Sequence, residues 1–210
     1  MLDELVKFFV VLMVVIEPLT LLPILAGLTY GADDAYRRRM SVKSVGISAI
    51  VCLVFAVCGG LLLRLLGISV DAFKVGGGIL LFILAIEMVY ARPSGARSIT
   101  PGEDAAAHHR GDISVFPLAF PLIAGPGALA TILLAFGGVP LGSVQFFAQV
   151  AVILVVLGIN LVLMLMTGPV MRIIGETGGN VMGRLLGVLL AALASQFVMD
   201  GVRGALGLGK

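Results

Sequence analysis

Gly60-Leu61-Leu62-Leu63-Arg64-Leu65-Leu66-Gly67-Ile68-Ser69 returns later in the chain as Gly168-Pro169-Val170-Met171-Arg172-Ile173-Ile174-Gly175-Glu176-Thr177. One offset of 108 positions carries Gly60, Arg64, Gly67 and Ser69 onto Gly168, Arg172, Gly175 and Thr177, and it also carries Pro18 onto Pro126. One further position of slippage, an offset of 109, lays Gly78-Ile79-Leu80-Leu81 over Gly187-Val188-Leu189-Leu190 and sets Glu87 opposite Gln196. Short apolar segments resemble one another by chance, but the spaced Gly, Arg, Gly and Ser/Thr make chance less of an explanation. The chain reads as two copies of one unit.

Composition decides where such a chain lives. Hydrophobic residues make up 60% of the 210 and charged residues 12%, with a mean hydropathy of +1.15. A soluble domain carries about 25% charged residues, so the expected partner is a lipid bilayer. The net charge of +2 sits on basic residues scattered between apolar stretches, which excludes a nucleic-acid partner. Cys52 and Cys58 lie six positions apart in one apolar stretch and point different ways on a helix, so they read as small packing residues rather than a disulfide. Met1-Leu2-Asp3-Glu4-Leu5 lacks the basic start and small-residue cleavage site of a signal peptide, so the first apolar span is expected to stay.

Crossing the hydrocarbon core takes about 20 apolar residues. Six stretches qualify: 8–29, 44–64, 72–91, 113–136, 144–167 and 182–204. The longest interruption, 92–112, holds Arg92, Pro93, Ser94, Gly95, Pro101, His108, His109 and Arg110 and reads as a linker between the copies. The expected organisation is a first three-helix unit over 1–91, a cytoplasmic linker over 92–112 and a second three-helix unit over 113–210. Three spans per unit is an odd number, so the second unit is inserted upside down relative to the first. The expected fold is an all-α membrane protein, six transmembrane helices as a 3+3 inverted-topology repeat. That is the plan of secondary transporters with a midplane site.

Positive charge orients the repeat. With the N-terminus outside, the inner loops collect Arg37, Arg38, Arg39, Lys43, Arg92, Arg97, Arg110, Arg172 and Arg184, against Lys7, Arg64, Lys74, Arg203 and Lys210 outside. Nine against five puts both termini on the outer, periplasmic side. Arg64 and Arg172 snorkelling from helix ends would leave that vote unchanged.

The chemistry concentrates in the first and fourth spans. The first reads Val15-Ile16-Glu17-Pro18-Leu19-Thr20-Leu21-Leu22-Pro23, an acid and two prolines at mid-depth. The fourth reads Phe116-Pro117-Leu118-Ala119-Phe120-Pro121-Leu122-Ile123-Ala124-Gly125-Pro126-Gly127-Ala128. Proline removes a backbone donor and glycine loosens the chain, so both helices are expected to be discontinuous. Freed backbone groups at that depth survive only inside protein or beside an aqueous cavity. Half-helix N-termini attract a carboxylate, and the C-terminal carbonyls of the preceding halves attract an ammonium group or a coupling cation. A small zwitterion satisfies both.

Pro117-Leu118-Ala119-Phe120-Pro121-Leu122-Ile123-Ala124-Gly125-Pro126-Gly127-Ala128 resembles the P-L-A-x-P-L-x-A-G-P-G-A signature of the MarC family of bacterial inner-membrane proteins. The resemblance extends to length, six spans, central polar linker and first-span proline motif. In the first half the family pattern is close to D-P-x-G-N-x-P, and here Thr20 and Leu21 replace its Gly and Asn. The resemblance implies a location in the bacterial inner membrane. Through the related SnatA group it implies transport of small neutral amino acids such as glycine and alanine.

The substrate-binding candidates are Glu17, Pro18, Thr20, Gly125, Pro126, Gly127, Thr131 and Asn160. Glu17 would pair with the ammonium or carry a coupling proton; the plain alternative is a structural acid. Gly125-Pro126-Gly127 as a packing kink, and Thr131, Asn160 and Gln196 as helix-to-helix hydrogen bonders, are the corresponding plain readings. Gly76-Gly77-Gly78 reads as close helix contact and Glu87 as an interfacial acid. His108 and His109 have no spaced partner, so no metal site is expected. No nucleophile set or phosphate loop is present, so an enzyme is not expected. No cofactor is expected beyond a coupling H⁺ or Na⁺. A secondary transporter of small neutral amino acids or similar zwitterions is the leading expectation. A channel, or an exporter for another solute, ion or drug-related compound, is the alternative; a second copy of the chain stays open as a partner.

Overall fold

Helices begin where a short polar side chain takes up the first unpaired backbone donors. In the computed structural model, which describes residues 2–29, 31–90 and 112–207, three starts follow this rule. The Asp33 carboxylate accepts from the Tyr36 amide at 2.8 Å, the Ser69 hydroxyl from the Ala72 amide at 3.1 Å, and the Ser143 hydroxyl from the Phe146 amide at 3.1 Å. They open α3 (Asp34–Leu65), α4 (Val70–Tyr90) and α6 (Val144–Leu165). Before them run α1 (Leu2–Ile16) and α2 (Pro18–Leu28). A broken segment, Ser114–Ile123, leads into α5 (Pro126–Phe136), and α7 (Thr167–Ala205) ends the chain. No strand occurs among the described residues.

Among the described residues, five helical stretches are long and apolar enough to cross a membrane: Leu2–Leu28, Asp34–Leu65, Val70–Tyr90, Val144–Leu165 and Gly183–Ala205. The broken segment and α5, bent by 55°, make a sixth when counted as one span. The distribution of polarity agrees. On α6 the buried face includes Gln149 and Asn160, while Phe147, Leu154, Val155 and Val162 are exposed. An apolar exterior around polar interior groups suits lipid as the solvent.

Helix α4 lies antiparallel against α7 with glycines at the crossing. A Cβ on Gly78 would stand 2.8 Å from Val198 Cγ2 and 2.9 Å from the Ala194 carbonyl; one on Gly187 would stand 2.9 Å from Met88 Cβ and 3.0 Å from Val89 Cγ2. Small residues there let two backbones pack closely without a solvent-driven force. Near the other ends of the helices, Phe136 stacks edge-on with Phe8 at 6.1 Å and with Phe146 at 5.3 Å, joining α1, α5 and α6.

Three expectations need correction. Helix α3 begins at Asp34, not at 44: Asp33 caps it and no proline or glycine interrupts the run to Ser44, so Arg37, Arg38, Arg39 and Lys43 lie on helix rather than loop. The first span likewise starts at Leu2, six residues before position 8. The polar, glycine-rich stretch after 167 is not a loop, because the helix from Thr167 runs unbroken to Ala205. Pro169 sits in its first turn, where a missing donor costs nothing. The repeated motif therefore has two local structures. Gly60–Ser69 ends α3, turns at Gly67 (φ 68°) and caps α4, whereas its counterpart starts inside α7. Arg92, Arg97, His108, His109, Arg110 and the rest of the expected linker up to 111 lie outside the described residues, as does Lys210.

Candidate functional site

Glu17 is where the first span breaks. It is held left-handed (φ 52°, ψ 61°), the only non-glycine residue with positive φ among those described. Pro18 then opens α2 at its first helical position, where its missing amide proton leaves no gap. The interruption is one residue wide: the Glu17 amide still donates to the Met13 carbonyl at 3.0 Å, and the Thr20 amide to the Glu17 carbonyl at 3.1 Å. A left-handed conformation costs a non-glycine residue about 1–3 kcal/mol and persists only where the surroundings impose it. Glu17 is only 3% exposed. Its carboxylate reaches toward α7, where a Cβ on Gly183 would stand 2.8 Å from Glu17 Oε1 and 3.6 Å from Thr20 Oγ1.

The fourth span breaks more widely. Phe116 and Phe120 are extended, the peptide bonds to Pro117 and Pro121 are cis, and Gly125 (φ −75°, ψ 174°) precedes α5. The freed carbonyl of Ala119 accepts from the Ala124 amide at 2.8 Å and from the Ser48 hydroxyl of α3 at 3.4 Å. Gly125 must be glycine, since a Cβ would strike the Pro121 carbonyl oxygen. Pro126 occupies the first helical position of α5, as Pro18 does in α2.

The two breaks meet at one depth. A Cβ on Gly127 would touch Val15 Cγ1 at 3.0 Å, two residues before Glu17, and Leu84 Cδ2 of α4 at 3.0 Å. Gly125, Pro126 and Gly127 thus border a small apolar cleft with Val15 and Leu84, while Glu17 and Thr20 turn toward Gly183.

A cavity of about 530 Å³ opens at the N-terminal ends of α1 and α6, with Lys7, Thr131, Gln149, Gln196 and Asp200 among its lining. Thr131 donates to the Gly127 carbonyl at 2.8 Å, so the cavity reaches within one turn of the second break. Gln149 donates to the Ala135 carbonyl at 3.1 Å, and its Oε1 is buried without a protein partner among the described residues. Asn160 lies 11 residues further along α6, three full turns on the same face. It is fully buried, and both its amide atoms lack a partner among the described residues. The hydrogen bond from Gln145 Nε2 to Glu4 at 3.4 Å sets α1 and α6 in register. From there Glu17 lies about 20 Å down α1 and Asn160 about 22 Å down α6, so both belong to the same level.

With this geometry in view, the whole chain can be compared with known proteins. The model of the MarC family, described as MarC family integral membrane protein, matches residues 2–206. The chain belongs to the MarC family. Its curated relatives include a UPF0056 inner membrane protein, YhgN, of Escherichia coli K12, 32% identical over 96% of this chain and 97% of the relative. A UPF0056 membrane protein of Aquifex aeolicus is 34% identical over 96% of this chain and 93% of the relative. No solved structure matches the chain. The protein is thus a MarC-family integral membrane protein with several spans.

Two features of this MarC-family site lie outside the expectations from sequence. Gly183 is one glycine among many in an apolar stretch, and only the packing of α7 on the first break gives it a role. Ser41, Ser44 and Ser48 are fully buried on one face of α3 and hydrogen-bond back to carbonyls at 37, 41 and 44. Their spacing of three and four was the available cue.

Proposed function

We propose that this MarC-family protein is a secondary transporter that carries small neutral amino acids or similar zwitterions across the cytoplasmic membrane. The observation that carries the reading is the buried Glu17 carboxylate, set at a left-handed break inside a membrane-spanning stretch and level with a second break. Both α2 and α5 start at that level, and a half-helix N-terminus favours a substrate carboxylate. Glu17 supplies the opposite charge for an ammonium group. Asn160 offers amide atoms at the same depth that have no partner among the described residues, and Thr131 and Gln149 line the way in from the 530 Å³ cavity. Translocation involves no covalent change, and a proton or sodium ion is the coupling partner.

The reading includes a 3+3 inverted repeat. Gly78 faces Ala194 and Val198, while Gly187 faces Ala85 and Val89. The offset of 109 converts each set into the other, a reciprocity that a two-fold axis in the membrane plane would produce. Pro18 and Pro126, joined by the offset of 108, each open a half-helix, which supports the same axis. With both termini outside, the 530 Å³ cavity faces outward.

Counterflow in proteoliposomes tests the function. Preloaded alanine or glycine should accelerate uptake of the labelled amino acid, and uptake should saturate. Rapid, non-saturating flux without counterflow would assign a channel instead. Counterflow of another solute, with neutral amino acids neither transported nor competing, would overturn the substrate class.

A further inference from the structure

At the opposite rim, where α2 ends, the first turns of α3 and the junction of α6 with α7 enclose a second cavity of about 600 Å³. Three arginines line it: Arg37 and Arg38 from α3 and Arg172 from α7. Arg37 is already engaged. Its Nη1 donates to Asp34 Oδ1 at 3.0 Å and its Nε to Thr29 Oγ1 at 3.3 Å. Arg38 and Arg172 line the same cavity with no hydrogen-bond or ionic partner among the described residues. Asp34, the one acid among the described lining residues, is spent on Arg37. Two like charges from helices far apart in sequence are therefore held around one space.

The wall between them is apolar. Leu165, 43% exposed, and Pro169 belong to the lining, and Leu165 is the last residue of an apolar membrane-spanning helix. A charged head beside an apolar wall at the end of a span is the environment of a phospholipid headgroup. The guanidinium fork matches phosphate oxygens in pairs, unlike a point charge.

We propose that this rim cavity binds a phosphate group through Arg38 and Arg172, with Arg37 held aside by Asp34. The group comes from a phospholipid headgroup or from soluble phosphate. The site is separate from the transport reading and stands whether or not that reading does.

Native mass spectrometry of the full chain in micelles tests it, with phosphatidylglycerol and with diacylglycerol of the same acyl chains as probes. The wild type should retain phosphatidylglycerol in preference to diacylglycerol. The double variant Arg38→Gln, Arg172→Gln should lose that retention by at least about tenfold, a change of one decade in affinity. The control variant Arg64→Gln, Arg203→Gln removes the same charge elsewhere, Arg64 lying about 40 Å along α3 from Arg37, and should retain the lipid. If inorganic phosphate displaces the lipid, or stabilises the wild type against heat through the same two arginines when the lipid is not retained, the source is soluble phosphate. Arg172→Gln alone, at an exposed position, serves should the double variant not fold. Retention of diacylglycerol equal to that of phosphatidylglycerol, with no response to inorganic phosphate, would overturn the proposal. So would a folded Arg38, Arg172 variant (or single Arg172 variant) with wild-type retention and wild-type response to phosphate.

Discussion

At the scale of single residues, the break at Glu17 costs energy that the rest of the molecule must supply. A buried acid in a strained conformation is more than packing requires, which is why its two chemical roles deserve separation. Glu17→Gln keeps size and hydrogen-bonding capacity and removes the charge. If Glu17 holds the substrate ammonium, affinity should fall by the worth of a charge-assisted contact, about 1.5–3 kcal/mol, read by substrate titration. If it carries the proton, driven uptake should fail while exchange survives. Wild-type affinity, uptake and exchange together would make Glu17 structural. Gly125 sets a different kind of limit, because the obstacle to a side chain there is the Pro121 carbonyl, which is backbone and cannot swing away. Gly125→Ala should destabilise the fold by about 1–3 kcal/mol, the usual cost of overpacking, seen as a lower thermal midpoint in micelles. An unchanged midpoint would mean that the fourth span does not turn so tightly at this residue.

At the scale of elements, the pairing of α4 with α7 rests on two glycine contacts that the offset of 109 interchanges. A Cβ on either glycine would meet backbone as well as side-chain atoms, on Gly78 the Ala194 carbonyl oxygen (2.9 Å) and on Gly187 the Ala85 carbonyl oxygen (3.1 Å). Gly78→Val and Gly187→Val should therefore be destabilising to a similar degree, again about 1–3 kcal/mol each. A large loss for one and none for the other in denaturant unfolding would argue against equivalent copies. A second element-level link joins α3 to the start of the broken segment, where Lys43 pairs with Asp112. The hydrogen bond from Lys43, then those from the Ser114 hydroxyl and amide, hold the Asp112 carboxyl well below the usual carboxylate range. A lowered folded-state pKa stabilises above the unfolded value of about 3.9 and ceases to do so as pH falls through the folded value. Both side chains are more than two-fifths exposed, so the link is worth less than about 1 kcal/mol and weakens with salt. Asp112→Asn should lower the thermal midpoint slightly at neutral pH, and the gap from wild type should close as the medium is acidified below about pH 4. A gap that widens in acid would contradict the pairing.

At the scale of the whole molecule, its two rims differ in charge. Arg37, Arg38 and Arg172 gather at the rim where α2 ends, and the cavity at the other rim carries both Lys7 and Asp200. Under the proposed orientation, with both termini outside, the positive-inside bias predicts that the arginine rim faces the cytoplasm. In a background without Cys52 and Cys58, Arg203→Cys should react with an impermeant thiol reagent in intact cells, while Ser98→Cys in the linker should react only after permeabilisation. The reverse pattern would invert the molecule and turn the 530 Å³ cavity inward.

Membrane residence, the apolar spans, the MarC resemblance and the positions of both helix breaks were legible in the residues themselves. Proline, glycine and an intramembrane acid are local signals: each acts on its own backbone or its own solvation, and needs no distant partner to be read. Helix limits were less legible, because the polar helical turns at 34–43 and after 167 carry no apolar period and depend on caps and neighbours. The grouping of the candidate residues belonged to tertiary structure alone. Thr20 faces Gly183 beside Glu17, Gly127 packs on Val15 and Leu84, Thr131 opens into the 530 Å³ cavity, and Asn160 sits at the Glu17 level on a separate helix. Those relations are contacts between helices, and in lipid no burial pattern along one helix says which neighbour it meets. Close packing and backbone hydrogen bonding between elements made that choice.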